Sequence, residues 1–435
     1  MQETLPGRSK GYGKALLHLR PFTLLRKKPQ PRMPLIEFDV NQEQMIFPVT
    51  IIRAGTSRGL YFLSDDVPQM EQGQARFLRA VMGTDPLQVD GLGGGHFWTS
   101  KVAIVGRPQR GDADIDYTFV QVEPMSDTVD YNANCGNISA GVPLFALEKG
   151  LITRPDGKHE VRIWNTNTQK MLYAELTVRN GRVVVNGSYV ISGIPGSGSK
   201  IFMDFRDTVG ATTGRMFPTG RVKDSIAMED GTEIAVTVCD VSNIVVYVHS
   251  TAAGCSGRET LDELNASREM FDRCAEIRGK AAMLAGLVDR WQDGTELFLP
   301  PVCMVTGPDT FSGSEGKIDP QEQCSLTAKL VVARTVHPSF MGTGSCCLAA
   351  AASVPGTIPN GVLSEMQMWP SFVFRHPCGT MPMEADVVSD MDCNKTSFRR
   401  LGFGRTARKI ADCSVYIRPV AMDELKGRVV LPKNW

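Results

Sequence analysis

The chain has 435 residues, 42% of them hydrophobic and 22% charged, and its 47 basic and 47 acidic side chains cancel to a formal net charge of zero. That balance describes an ordinary globular protein of two or three domains, with no global basic field to attract nucleic acid or an anionic membrane, so neither partner is expected. No apolar run reaches the roughly 18 residues of a membrane span, and the eleven cysteines show neither CxxC pairs nor zinc-ligand spacing, which reads as reduced thiols in an intracellular, cytoplasmic protein.

Residues 1–40 depart from the balance, because Arg8, Lys10, Lys14, Arg20, Arg26, Lys27, Lys28 and Arg32 face a single acid, Glu3, before Met33. They are read as a basic extension outside the fold, either disordered or a mitochondrial targeting segment. From residue 46 the pattern is strand-rich: MIFPVTIIRAG, GLYFL, KVAIVG, DYTFVQV, HEVRIWN and RVVVNGSYVI are short β-branched or aromatic runs between turn residues. The first two flank RAGTSRG (53–59), where Gly55 to Gly59 spells GxSxG. A strand-like run follows it instead of a helix, so the nucleophile-elbow reading is rejected. The loop is read as an anion clamp, with Arg53 and Arg58 forking onto carboxylates and Thr56 and Ser57 offering hydroxyls.

Next comes GLGGGHFWTSK (91–101), which satisfies neither phosphate-loop pattern. Its glycines, Gly94 among them, let backbone approach a ligand closely. Ser100 lies beside that loop, His96 within it is a candidate base, and Lys101 opens an apolar strand. NANCGNISAG (132–141) sets Cys135 among Asn134, Gly136 and Asn137, where a turn runs into a helix. A thiol's ordinary pKa of about 8.5 falls at a helix start or beside a cation, since both favour the thiolate. The helix expected over 139–150 contains Pro143, which is tolerated in a first turn and bends the helix anywhere later.

The turn-rich segment 191–200 is read as a crossover dividing a first unit, 41–195, from a second, 196–435. In the second unit, residues 235–249 and 324–337 read as strands and 261–286 as one helix. FMGTGSCCLAAAASVPG (340–356) reads as a turn at Gly342 to Ser345 running into a helix apolar on every side. Such a helix must be buried on every side, and in a strand-rich chain a sheet curled around it is the natural cover. Each unit therefore uses the same device, a small-residue turn entering a buried helix, and two such turns would aim free amides at one cleft suited to carboxylates. Cys239, Cys346, Cys347 and Cys413 lie in apolar runs and are read as inert packing residues.

Together RAGTSRG (53–59), LGGG and TSK (within 92–101), NCGNISAG (134–141), FPTG (217–220), GTGS (342–345) and GRTAR (404–408) resemble the PrpF family, the 2-methylaconitate isomerases of the diaminopimelate epimerase-like superfamily. The resemblance implies an α+β fold of two pseudo-symmetric lobes, each a curled mixed β-sheet wrapped around a central helix, with the active site in the cleft between them and the C-terminus able to return to the first lobe. It implies cofactor-independent, metal-free movement or inversion of a carbon–carbon double bond in a small unsaturated di- or tricarboxylate. Residue by residue, it puts catalysis on Lys101 and Cys135, and carboxylate binding on Arg53, Thr56, Ser57 and the loop Gly342, Thr343, Gly344 and Ser345. The substrate contacts expected from the loops add Arg58, Gly94, Ser100, Asn134, Gly136 and Asn137. Two-base epimerases of the wider superfamily carry a second cysteine where this chain has Met341, so a two-thiol racemase is disfavoured. Two alternatives stand beside the isomerase: a keto–enol tautomerase of an oxalomesaconate-like acid, and a non-catalytic accessory protein to an aconitase-like dehydratase. Oligomeric state is not written in the sequence; a homodimer is one arrangement it allows.

Overall fold

The computed structural model describes residues 43–418, except 70, 133, 296, 309–323, 366 and 389–394, together with 428–430. The basic extension therefore lies outside the described residues. β1 (Met45–Ala54) and β2 (Ser57–Leu63) form a hairpin turned at Gly55, whose φ of +53° suits glycine. After α1 (Glu71–Met82), β3 (Lys101–Gly106) adds parallel to β2, and β4 (Ile115–Val122) adds antiparallel to β3. β5 (Thr128–Asp130) follows, then α2 (Gly136–Ser139), α3 (Val142–Glu148), β6 (Gly157–Asn165) and β7 (Lys170–Arg179). β7 was not anticipated, although MLYAELTV alternates buried and half-buried positions with the period of two that a one-sided sheet demands. α1 was also missed; it lays Phe77, Leu78 and Val81 against Phe47, Leu60 and Phe62 on the outer sheet face.

The second half repeats the layering. The hairpin of strands Glu233–Val241 and Asn243–His249 turns at Ser242 and covers α6 (Gly342–Ser353), in which every residue from Gly342 to Ala352 is buried. The single helix expected over 261–286 is two, α4 (Leu261–Ala266) and α5 (Arg268–Leu284). Extended Ser267 ends the first and caps the second by accepting from Met270 N–H, and Thr260 with Glu263 forms a capping box ahead of it. α5 packs Met270, Phe271, Cys274 and Ile277 on the outer face, opposite α6. The strand expected over 182–191 survives only as Arg182–Val183 and Tyr189–Val190. Strands after α6, from Ser371 to Ile417, were not read from the sequence.

The expected boundary near residue 195 is not a break in the sheet. Ile201–Asp204 pairs with β7 on one side and with Ser397–Arg405 on the other. One residue later, Ala407–Ile417 runs back along the whole of β1. Among the described residues twenty strands join one sheet, and a single core holds Phe145 of α3 together with Leu348 of α6.

The helix expected over 139–150 begins earlier and breaks. α2 ends at Ser139, and α3 restarts after Gly141, which puts Pro143 in a first turn where its missing N–H costs nothing. α2 and α6 meet at their starts. A Cβ on Gly342 would lie 2.8 Å from Phe403 Cζ and 3.4 Å from the Gly136 backbone, and one on Gly136 would lie 3.0 Å from Phe403 Cζ. Phe403 is fully buried and stacks on Phe205 at 5.4 Å, so it has nowhere to retreat. Gly342→Ala gains up to about 1 kcal/mol of helix propensity and loses about 1–3 kcal/mol to overpacking. We expect net destabilisation, read as a lower denaturant midpoint; an unchanged or higher midpoint would show that the junction is not close-packed.

Candidate active site

The two helix starts form the floor of one pocket. Both Lys101 and Cys135 line it, as do Ser57, Asn134, Gly136, Asn137, Gly342 and Thr343. Its walls include Phe97, Trp98, Phe119, Gln121, Phe298, His337 and Met341, none of which the sequence had marked as substrate contacts.

Lys101 is the first residue of β3 and sits opposite Gln121 of β4 in the register. It is only 6% exposed. Its Nζ donates to Gln121 Oε1 at 2.7 Å and lies 5.6 Å and 5.2 Å from the ring centres of Phe97 and Phe119. Gln121 Nε2 donates to the carbonyls of Phe97 (3.0 Å) and Ser100 (3.1 Å), which fixes the amide so that its oxygen faces the lysine. Among the described residues no carboxylate forms an ion pair with Lys101. A buried ammonium held by a neutral amide and ring faces keeps its charge available to an anionic ligand.

Cys135 is half-buried and occupies the N-cap of α2, with extended backbone and no side-chain cap. Met341 holds the same position on α6, also without a side-chain cap. The first amides of each helix therefore lack intrahelical acceptors, and those of Gly136, Asn137, Gly342 and Thr343 belong to pocket-lining residues. Asn134 contributes a further donor. Thr168 N–H donates to Asn165 Oδ1 (2.9 Å) and Asn165 Nδ2 donates to Asn134 Oδ1 (2.9 Å), so Asn134 Nδ2 is left buried without a partner among the described residues. Across the junction, Asn243 Nδ2 donates to Thr343 Oγ1 at 2.8 Å.

Several expected contacts do not line this pocket. Arg53 turns away to donate to Thr406 Oγ1 at 2.8 Å, and burial, then the charge of Arg408, lower its pKa. Arg58 Nη2 donates to the carbonyls of Leu92 (3.3 Å) and Gly93 (3.1 Å), pinning the glycine loop. Neither guanidinium of the expected anion clamp lines the pocket in this structure. Thr56 Oγ1 accepts from Asn137 Nδ2 (3.1 Å), Gly94 N–H donates to Gln88 Oε1 (2.9 Å), and Ser100 Oγ donates to the same oxygen (2.6 Å). Gly344 and Ser345 lie farther along α6, where Ser345 Oγ donates to Gly342 O. His96 is exposed, stacks on Trp98 at 4.6 Å and does not line the pocket. Cys239 and Cys346 are sealed in the core and burial pushes both thiols up, whereas Cys413, expected to be packed, is exposed.

Arg405 was quoted in a motif but given no role. It is buried behind Asn137, donating from Nε to Asn137 Oδ1 at 2.7 Å, and burial lowers its pKa to about 10. Gly55 allows that approach, since a Cβ there would stand 2.1 Å from Asn137 Oδ1. Among the described residues no three His, Cys, Asp or Glu side chains are placed to hold a metal ion.

Two buried histidines neighbour one another, and one of them, His337, lines the pocket with Lys101. Burial, then the charge of Lys101, push His337 down to about 3; burial, then His337 and Arg405, push His376 down to about 3. The unfolded chain would protonate both near 6.5, so folded stability is full above that pH and falls as pH drops toward 3. At pH 5 the loss is about 2 kcal/mol per ring. Denaturant midpoints at pH 7.5 and pH 5 should differ accordingly, with the difference roughly halved in His376→Phe; equal midpoints in the wild type would refute the buried neutral pair.

The family model described as PrpF protein matches residues 44–418. A 3-methylitaconate isomerase of Eubacterium barkeri is 36% identical over 379 residues, covering 86% of this chain and 98% of its own length. A 4-oxalomesaconate tautomerase of Pseudomonas putida is 32% identical over 379 residues, covering 86% and 97%. The crystal structure of a methylitaconate-delta-isomerase superposes with a TM-score of 0.74 at 34% identity, covering 88% of this chain and 98% of that one. With the family model matched over residues 44–418, both helix starts included, the chain belongs to the PrpF family and is an isomerase.

Proposed function

We propose that this isomerase moves or inverts a carbon–carbon double bond in a small unsaturated tricarboxylate of the aconitate or methylaconitate type, without a cofactor, using Lys101 and Cys135 as its proton-transferring pair. The observation that carries the reading is that an ammonium from the start of β3 and a thiol from the cap of α2 line one pocket floored by amide donors.

In this mechanism the substrate carboxylates take the partnerless Asn134 Nδ2 and the amides at the start of α6, whose dipole favours negative charge. One member of the pair, deprotonated at the outset, removes a proton from the carbon beside the alkene. The electron pair left behind spreads over three carbons and the attached carboxylate as a dienolate, and fixed donors in a water-poor pocket stabilise that developing charge. The other member returns a proton to the far carbon, which moves the double bond, or to the original carbon after rotation, which reverses its geometry. Met341 has no exchangeable proton at the second helix cap, which argues against a two-thiol racemase.

A second reading, keto–enol tautomerisation of an oxalomesaconate-like acid, is favoured by the similarity to the Pseudomonas putida enzyme and needs the same two groups. Proton NMR of candidate acids in deuterated buffer separates the two by which substrate exchanges and which product accumulates.

Cys135→Ala and Lys101→Ala should each lower kcat by about a hundred- to ten-thousandfold while leaving the fold intact, the range general acid–base groups supply. Full activity in both would refute the assignment. Gln121→Leu should lower kcat by roughly a hundredfold through misplacement of Lys101, with a shifted pH–rate profile; an unchanged profile would remove Gln121 from the mechanism.

A further inference from the structure

The glycine loop ahead of Lys101 wraps a side chain of the protein itself. Asp85 builds the turn that delivers it: its carboxylate accepts from the amides of Leu87 (3.1 Å), Val89 (2.8 Å) and Asp90 (3.3 Å), and its carbonyl accepts from Gln88 N–H (2.9 Å). Leu87 and Val89 are 74% and 80% exposed, while Gln88 between them is only 2% exposed. Gln88 adopts a left-handed φ of +56°, a conformation that glycine takes at no steric cost. The bonds of its side chain hold a glutamine there.

Gln88 Oε1 accepts three hydrogen bonds, from Gly94 N–H (2.9 Å), Gly95 N–H (3.0 Å) and Ser100 Oγ (2.6 Å). Two main-chain amides converging on one atom identify it as the oxygen of the carboxamide. Nε2 is buried with no partner among the described residues, so the oxygen makes the connection. Gly93 admits it, since a Cβ there would stand 2.0 Å from that oxygen. Arg58 binds the preceding carbonyls, those of Leu92 and Gly93. The loop thus closes around two side chains.

Gln121, which holds the Lys101 ammonium, is itself fixed by the carbonyls of Phe97 and Ser100, and both belong to the stretch that Gln88 gathers. The Phe97 ring also lies 5.6 Å from the ammonium. We propose that Gln88 is a positioning residue for the proton-transferring lysine: by drawing Gly94, Gly95 and Ser100 onto one amide oxygen it sets the carbonyls that orient Gln121, and through Gln121 it sets Lys101 in the pocket. It touches no substrate. A glutamate would accept the same three bonds but add a negative charge behind a site for anions. The role rests on the isomerase reading, which is what assigns Lys101 to proton transfer.

Two variants of the full chain, Gln88→Gly and Gln88→Glu, test it by NMR turnover of unsaturated acids. Glycine suits the backbone and deletes the acceptor, so kcat should fall by roughly a hundredfold, the scale of an ångström of misplacement at a reacting group. The glutamate should recover at least about tenfold of that loss, because its carboxylate accepts from the same donors, and its charge should appear as a higher KM. Gln88→Gly and Gln121→Leu should not multiply: the double variant should lose little more than the worse single one, because both act along one chain of bonds. Wild-type kcat in the glycine variant, no rescue by glutamate, or losses that multiply in the double variant would each overturn the proposal.

A second arm needs no turnover. Amide exchange read by mass spectrometry should quicken over residues 91–100 in the glycine variant and return to the wild-type rate in the glutamate. Reductive methylation of Lys101 should quicken in the glycine variant alone. Ser100→Ala, which removes one donor and leaves the turn intact, should move both readouts the same way and serves if the glycine variant does not fold. These changes, in a protein whose wild type turns over no unsaturated acid, would fail the isomerase reading and keep Gln88 as the organiser of Lys101. Turnover by the wild type, with Lys101 reactivity unchanged in the variants, would fail the role of Gln88 alone.

Discussion

The structure depends on two helix starts touching glycine to glycine. Gly136 and Gly342 stand where any side chain would strike Phe403 or the opposite backbone. That contact brings the uncapped amides of α2 and α6 to one floor. It also sets Cys135 and Met341, the two N-cap residues, on a common pocket. Small residues along α6 serve the same end, because a helix buried from Gly342 to Ala352 must let strands approach closely on every side.

Around that floor the protein spends neutral groups where charge would seem the obvious choice. Gln121 holds the lysine and Asn165 orients Asn134. Each is fixed by backbone partners that dictate which end of its amide faces inward. The result is a buried Lys101 side chain that forms no ion pair among the described residues and shares its pocket with amide donors. Fixed dipoles of this kind need no reorganisation when charge develops in the reacting molecule.

Much of this was legible in the sequence, and the parts that were not share a cause. Lys101 and Cys135 stood out because each sits where a small-residue loop enters a regular element, which is local information. The buried helix at 342–353 announced itself by having no polar face. Where Arg53 and Arg58 point could not be read from the sequence, because the direction of an arginine is decided by its neighbours in space. The partner of Arg53 is Thr406, 353 residues away along the chain. His337 was not singled out because its place on the pocket wall comes from Phe97 and Lys101, over two hundred positions distant. Gln121 became visible only through the β3–β4 register. Ser267, by contrast, carried an N-cap signal that was present in the sequence and overlooked.

Thr406 separates two strands that serve different halves: Ser397–Arg405 beside Ile201–Asp204, and Ala407–Ile417 beside β1. With β7 and Ile201–Asp204 also paired, the two halves are stitched through continuous main-chain ladders. The loop of residues 91–100 is held differently, by side-chain bonds from Arg58 and Gln88 to its backbone and to Ser100. One wall of the pocket thus hangs on two side chains, while its floor is anchored in the sheet's own backbone.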